Sequence, residues 1–230
     1  MTTMTNFVAV DWRRGADRIY FFFKDTSTYA RFNLGENSVA DGHPTSVDGH
    51  WDDFDNHVKD LRFGFNTSGI NWRHTNDGDI AWLFYYDGNT KMVCKYKQRD
   101  DEVLFKKPIS ETDWWPLGNY FDKIVGVMWD EKADIKHTFW ILLNDGRYFT
   151  YSPWLGRIPN PQPLKNSMWS GLEPYKDRMI TAVLNDHPAF NTFFYIFLTD
   201  NEYLRFDFNE RKVLGPIPVD EDSWPGLISD

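Results

Sequence analysis

The chain has very few of the features that would place it in a secreted or membrane class. Its single cysteine, Cys94, rules out an intrachain disulfide. No run of about 18 apolar residues is present, so we expect no membrane-spanning helix. Residues 1–6 contain neither a basic stretch nor an apolar stretch, and no secretory signal is visible there. We therefore expect a cytoplasmic protein in a reducing compartment, unless a leader has been removed.

Positive charge is also scarce. The chain has 25 Lys and Arg against 34 Asp and Glu, which gives a formal net charge of −9. A negative field repels phosphate backbones and attracts cations, including metal ions and polyamines. We expect no nucleic-acid partner, and the simplest interpretation of the charge is a well-solvated surface.

The common catalytic motifs are missing. There is no Gly-x-Ser-x-Gly elbow, no Gly-rich phosphate loop and no His-Glu-x-x-His. Cys94 lies inside a predicted strand, where a buried and inert thiol is expected. His43, His50 and His57 are spaced by seven residues but fall on different predicted loops, so a shared metal is not expected. We therefore expect a protein that is not an enzyme.

Aromatic residues, in contrast, are abundant. They make up 18% of the chain, with 11 Trp, 19 Phe and 11 Tyr. Large aromatic side chains fit the half-buried surface of a pleated sheet, and their number is incompatible with a disordered chain. The composition favours a folded, β-rich protein.

One pattern recurs four times along the chain. It consists of a proline, a tryptophan six or seven residues later, then two residues and a Leu or Phe. The tryptophans are 63, 55 and 55 residues apart. The copies are Pro44 with Trp51 and Phe54, Pro108 with Trp114 and Leu117, Pro163 with Trp169 and Leu172, and Pro218 with Trp224 and Leu227. A pattern kept in register over the whole chain is the signature of a repeat architecture.

Each unit has two further landmarks. A short strand with a small central residue opens it, and the four small residues are Ala9, Gly64, Gly126 and Ala182. A hairpin of two aromatic strands follows, with turn signals such as Asp-Gly between them. Small residues at one position of every unit indicate that four backbones approach one another closely.

These units predict an all-β fold, a single four-bladed β-propeller over residues 1–230. Each blade would have an innermost strand with a small residue, an aromatic hairpin and a Pro…Trp tail. A closed ring of blades leaves few exposed strand edges. The blades are expected near residues 7–60, 61–120, 121–176 and 177–230, with the four repeat tryptophans acting as wedges between them.

The order of these landmarks resembles the hemopexin repeat. Residues 195–197 and 203–206, Pro218 and residues 224–227 carry the resemblance best. It covers nearly the whole chain and is most similar to the free-standing hemopexin-like proteins, including the seed albumins of legumes. Two features depart from the family: the Asp that often opens the first strand is missing, and blade two is longer, with residues 70–79 and 98–103 inserted or extended. The disulfide that ties the first blade to the last in the hemopexin-like domains of matrix metalloproteinases cannot form here.

The resemblance implies a ligand-binding protein. It implies a calcium or sodium ion in a central tunnel, held by main-chain carbonyls at or next to Ala9, Gly64, Gly126 and Ala182. It also implies binding of a polyamine such as spermine, or of haem, and allows a homodimer. Nothing in the sequence singles out one histidine as a haem ligand.

Tryptophans outside the repeat register provide the alternative. An exposed Trp beside polar groups can stack on a sugar, a cation or a flat ligand. Trp72 and Trp154 are the ligand-binding candidates of this kind. The alternative function is therefore a lectin or a protein-recognition module that uses loop aromatics.

Overall fold

The computed structural model describes residues 4–12, 17–67, 71–72, 75–76, 78–130, 138–157, 159–185 and 193–228. Within them nearly all regular structure is β, in four antiparallel sheets arranged as a four-bladed β-propeller. The fold predicted from the repeats is therefore confirmed.

Blades one and two contain the first eleven strands. In blade one these are β1 (Phe7–Trp12), β2 (Arg18–Phe23), β3 (Thr28–Asn33), β4 (Ser38–Val39) and β5 (Thr45–Ser46). In blade two they are β6 (Leu61–Thr67), β9 (Ile80–Asp87), β10 (Thr90–Lys97) and β11 (Glu102–Pro108), with β7 (Asn71–Trp72) and β8 (Thr75–Asn76) as a separate two-stranded ribbon.

Blades three and four each contain four strands. In blade three these are β12 (Ile124–Asp130), β13 (Thr138–Leu143), β14 (Arg147–Tyr151) and β15 (Gln162–Pro163). In blade four they are β16 (Met179–Asn185), β17 (Phe193–Leu198), β18 (Glu202–Asp207) and β19 (Lys212–Pro218). The 3-10 helices lie next to three of the repeat tryptophans, at Asp52–Asp60, Ile109–Glu111, Trp115–Tyr120 and Ser170–Arg178.

The inner strands surround the propeller axis. β1 and β12 each contact both β6 and β16, so the ring of blades is closed. A Cβ atom added to Gly126 would lie only 2.5 Å from the carbonyl oxygen of Ala182, and one added to Gly64 would lie 2.8 Å from Val10 Cγ2. This close approach is the physical reason for the small residue in each inner strand.

The repeat tryptophans are buried wedges between neighbouring blades, as predicted. Trp224 shows how the ring closes without a disulfide. Its ring centroid lies 5.3 Å from that of Phe197 in blade four, and 5.6 and 4.7 Å from those of Phe21 and Phe32 in blade one. Aromatic packing therefore joins the last blade to the first.

The hairpins begin where the sequence carries turn signals. Gly88, between β9 and β10, and Gly146, between β13 and β14, have φ values of +57° and +77°. Glycine adopts such left-handed conformations without steric cost, so these positions favour tight turns. None of the helices in the described ranges has the length and apolar character to cross a bilayer.

Candidate functional site

The four residues predicted to face the tunnel come together around the axis. The backbone N–H of Ala9 donates to Thr181 Oγ1 at 3.2 Å, and the carbonyl oxygen of Ala182 faces Gly126 of the next blade. These backbone groups therefore point away from their own sheets and toward the neighbouring inner strand. In the described ranges, no group of three or more His, Cys, Asp or Glu side chains is placed to hold a metal ion. The cation on the axis stays a prediction.

A cavity lies at the outer edge of blade three. It is a cleft of about 530 Å³, within the size range of ligand-binding pockets. One wall is the second half of β14, and the other is the connection that leads to β15. Its lining residues are Thr138, Trp140, residues 148–152, Leu155, Arg157, Pro159, Asn160 and Gln162.

The cleft exists because the fourth strand of blade three is short. β15 pairs with β14 only at Arg147 and Tyr148. The carbonyl of Gly146 accepts from Leu164 N–H on the outer side of the sheet at 2.9 Å. Since backbone groups alternate sides along a strand, Thr150 directs its N–H and C=O outward as well. No backbone partner for Thr150 beyond β13 is found among the described residues.

The other three blades cover the equivalent residue. In blade one the carbonyl of Arg31 accepts a hydrogen bond from Ala40 N–H at 2.8 Å. In blade two Lys95 pairs with Phe105, and in blade four Arg205 pairs with Leu214. Among the described residues, blade three therefore has an open edge at a position where its sister blades are paired.

Aromatic and polar groups surround this open edge. Trp140 and Tyr148 stack with their ring centroids 6.0 Å apart and an interplanar angle of 26°. Trp140 Nε1 donates to Asp130 Oδ2 at 3.2 Å, which fixes the indole against the sheet. Leu155 is about half exposed, and Arg157 is the only charged residue that lines the cleft in the described part of the chain.

Of the two tryptophans predicted as ligand candidates, one lies beside this cleft. Trp154 is 51% exposed and directly precedes Leu155 in the wall. Trp72 lies in the short strand β7, and its side chain falls outside the described residues. Trp154 thus combines exposure with proximity to a pocket.

The described histidines pack on aromatic rings. His43 and His50 lie 4.9 and 6.0 Å from the ring of Tyr29, and His57 lies 4.5 Å from that of Tyr85. Burial lowers the pKa of His43 and also that of His57. The remaining histidines, His74, His137 and His187, lie outside the described residues.

Cys94 is fully buried in β10, as the sequence predicted. Burial raises the pKa of its thiol to about 12. At neutral pH this side chain is therefore a protonated thiol, which is a poor nucleophile.

The open edge itself was missed in the sequence. The signal that could have shown it is the run of prolines after β14: Pro153, Pro159 and Pro161. Proline lacks a backbone N–H and is depleted from paired strands. Three prolines within nine residues thus indicate that a regular fourth strand cannot form directly after β14.

Comparison with known proteins adds little to this geometry. No family model matches the chain, and no curated protein matches it. One solved structure with some likeness is that of BBS1N in complex with ARL6DN, soaked with lead. The likeness has 9% identity and a TM-score of 0.28, and covers 87% of this chain. The chain spans about half of the length of that structure, 48%, and a likeness this weak supports no functional argument.

Proposed function

We propose that this propeller is a non-enzymatic recognition module that binds an extended peptide segment of a partner protein in the blade-three cleft. The observation that carries the proposal is the open edge at Thr150, beside a cleft of about 530 Å³. An extended peptide can add a strand to such an edge through main-chain hydrogen bonds, while neighbouring pockets select its side chains.

The walls of the cleft define the peptide chemistry. Trp140, Tyr148 and Leu155 offer apolar surface for alternate side chains of the added strand. Arg157 favours a carboxylate on the peptide, because its planar guanidinium binds carboxylates in a fork. We expect a ligand that alternates apolar and acidic residues.

The polyamine and haem ligands implied by the hemopexin resemblance fit this cleft less well. A polycation needs carboxylates, and a haem iron needs an axial ligand such as histidine. Among the described residues, no Asp, Glu or His lines the cleft. Hemopexin-like membership remains our proposal for the ancestry of the chain, supported by the four Pro…Trp copies.

Selection from a displayed peptide library tests the proposal. Peptides selected on the wild-type protein are synthesised, and their affinity is measured for wild type, Thr150→Pro and Thr150→Val. Proline removes the outward N–H and obstructs strand addition, whereas valine keeps the backbone groups and the size of threonine. We expect Thr150→Pro to weaken binding at least about tenfold and Thr150→Val to leave it nearly unchanged.

The same samples, together with a Trp154→Ala variant, on a glycan array address the lectin alternative. Specific glycan binding that needs Trp154 but not the Thr150 amide would contradict strand addition and favour a lectin. Equal peptide affinity for Thr150→Pro and Thr150→Val would also contradict it, because binding would then not use the backbone edge.

The second candidate function is cation binding on the axis. It is supported by the close approach of the inner strands at Gly126 and Ala182, together with the carbonyl directed between them. Calcium or sodium that binds only the closed ring would raise the melting temperature by mass action. Melts of the wild-type protein in chelator, calcium, sodium and choline salts test this, and a curve indifferent to every cation would contradict it.

A further inference from the structure

A small cavity at one end of the propeller axis is lined by two positive side chains, Lys24 and Arg62. Its volume is about 150 Å³, and it lies where the inner strands β1, β12 and β16 begin. The cavity is distinct from the blade-three cleft, and neither the peptide proposal nor the cation proposal bears on it.

Neither of the two cations has a carboxylate within ion-pair distance among the described residues. Arg62 Nη2 donates to the backbone carbonyl of Asp122 at 3.3 Å, and within the described part of the chain Arg62 Nε is buried without a hydrogen-bond partner. The guanidinium is therefore incompletely paired among the described residues, and an acceptor that enters the cavity would add a hydrogen bond to its Nη groups.

The carboxylates near this cavity do not supply that acceptor. The carboxylate of Asp122, which also lines the cavity, accepts from the Tyr86 hydroxyl at 2.9 and 3.1 Å. Burial and the charge of Arg62 lower the pKa of Lys24, and the charges of Asp25 and Asp60 only partly offset them. Lys24 is thus held close to a like charge in a poorly solvated place.

Both charges also depart from the internal repeat. Arg62 stands two residues before the central small residue of its strand, where the other blades have Phe7, Ile124 and Ile180. Lys24 stands just before the turn aspartate, where the other blades have Tyr86, Asn144 and Thr199. Blades one and two therefore place two cations at repeat positions where the other blades carry neutral side chains.

We propose that this mouth binds a small oxyanion of the size of phosphate, held by Lys24 and Arg62. The guanidinium of Arg62 can donate to oxygens of the anion through its Nη groups, and Lys24 adds a compact point charge. The amide side chain of Asn144 lines the same cavity and offers a further donor.

Isothermal titration calorimetry tests this site. Sodium phosphate is titrated against a sodium chloride background of equal sodium concentration, so that a bound cation gives no difference. The samples are wild type, Lys24→Met, Arg62→Met and the control Lys59→Met, whose side chain is exposed on the first 3-10 helix. We expect each mouth variant to bind phosphate about 10- to 100-fold more weakly, and the control to match wild type.

Methionine keeps the length of the side chain and removes an unpaired charge, so both variants should fold. If one does not, Lys24→Gln or Arg62→Gln replaces it. Phosphate and chloride that give equal heats with wild type would overturn the proposal. Phosphate affinity that survives both substitutions, or that falls equally in Lys59→Met, would overturn it as well, since binding would then reflect the general surface charge.

Discussion

Blades three and four are built alike up to their third strand and differ at the fourth. β19 follows β18 over seven residues, whereas β15 has two residues and covers only the start of β14. Trp169 nevertheless packs tightly between the two blades, with its ring 4.1 Å from that of Phe206 and 6.0 Å from that of Trp140. The comparison shows that ring closure depends on the inner strands and the wedges, while the fourth strand can shorten without opening the ring.

The largest expected effect comes from removing a wedge. Trp169→Ala and Trp224→Ala should each lower the free energy of unfolding by about 3–5 kcal/mol, because each leaves a large cavity between two blades. Trp154→Ala removes a half-exposed side chain at the blade-three edge and should cost much less. Urea unfolding of the three variants measures the difference.

Similar losses of stability in all three variants would contradict the distinction between the wedge tryptophans and Trp154. Trp154 would then contribute to the fold as much as a wedge does, and the edge of blade three would not be available for binding.

A smaller effect is expected at the axis. Gly126→Ala should cost about 1–3 kcal/mol, because its Cβ would collide with the carbonyl of Ala182. Gly35→Ala is the matched control, since a Cβ there meets nothing within 4 Å. Thermal unfolding of both variants checks this, and equal melting temperatures would contradict the close approach of the inner strands.

The fourth strands provide a direct contrast. Arg205→Pro removes a backbone donor that faces β19, whereas Thr150→Pro removes one that faces an open cleft. We expect Arg205→Pro to destabilise the protein by about 1–3 kcal/mol more than Thr150→Pro, as a lost hydrogen bond leaves its buried partner unsatisfied. Equal costs in chemical denaturation would mean that the edge of blade three is covered after all.

Most of the fold could be predicted from the sequence, because its causes repeat. Each wedge tryptophan lies in the same local pattern. Each inner strand has a small residue because the backbones are crowded near the axis. The burial of Cys94 was predicted as well, because its strand has a counterpart in every repeat. The position of Trp154 near a cleft was only half predicted: its departure from the register was visible, but its exposure was not.

The open edge and the charged mouth could not be predicted in this way. Thr150 lies in an ordinary strand, and the short length of β15, which depends on how the proline-containing connection folds back, leaves it without an outer backbone partner among the described residues. Lys24 and Arg62 are 38 positions apart in sequence, and the closed ring alone brings them to one cavity. Such sites arise from differences between repeats, whereas the repeat pattern reports what the blades share.

The smallest expected effect concerns the covered edge of blade one. His43 Nδ1 lies 3.3 Å from the carbonyl of Tyr29, and burial lowers the pKa of His43, with smaller contributions from Arg31 and His50. A lowered pKa in the folded state means that the stabilising contribution is complete above the unfolded pKa of about 6.5 and is lost as the pH falls below it. His43→Asn should flatten the decline of the melting temperature between about pH 6.5 and 5, and an unchanged slope would contradict this.

Amide hydrogen exchange at Thr150, followed by NMR, tests the central claim most directly. In the free protein the Thr150 amide should exchange much faster than those of Lys95 and Arg205, the equivalent residues of blades two and four, because of the three only Thr150 has no outer backbone partner among the described residues. A saturating peptide selected on the wild-type protein should slow the exchange of Thr150 to their level. An amide of Thr150 that is already protected in the free protein, or that stays exposed with the peptide bound, would contradict strand addition at blade three.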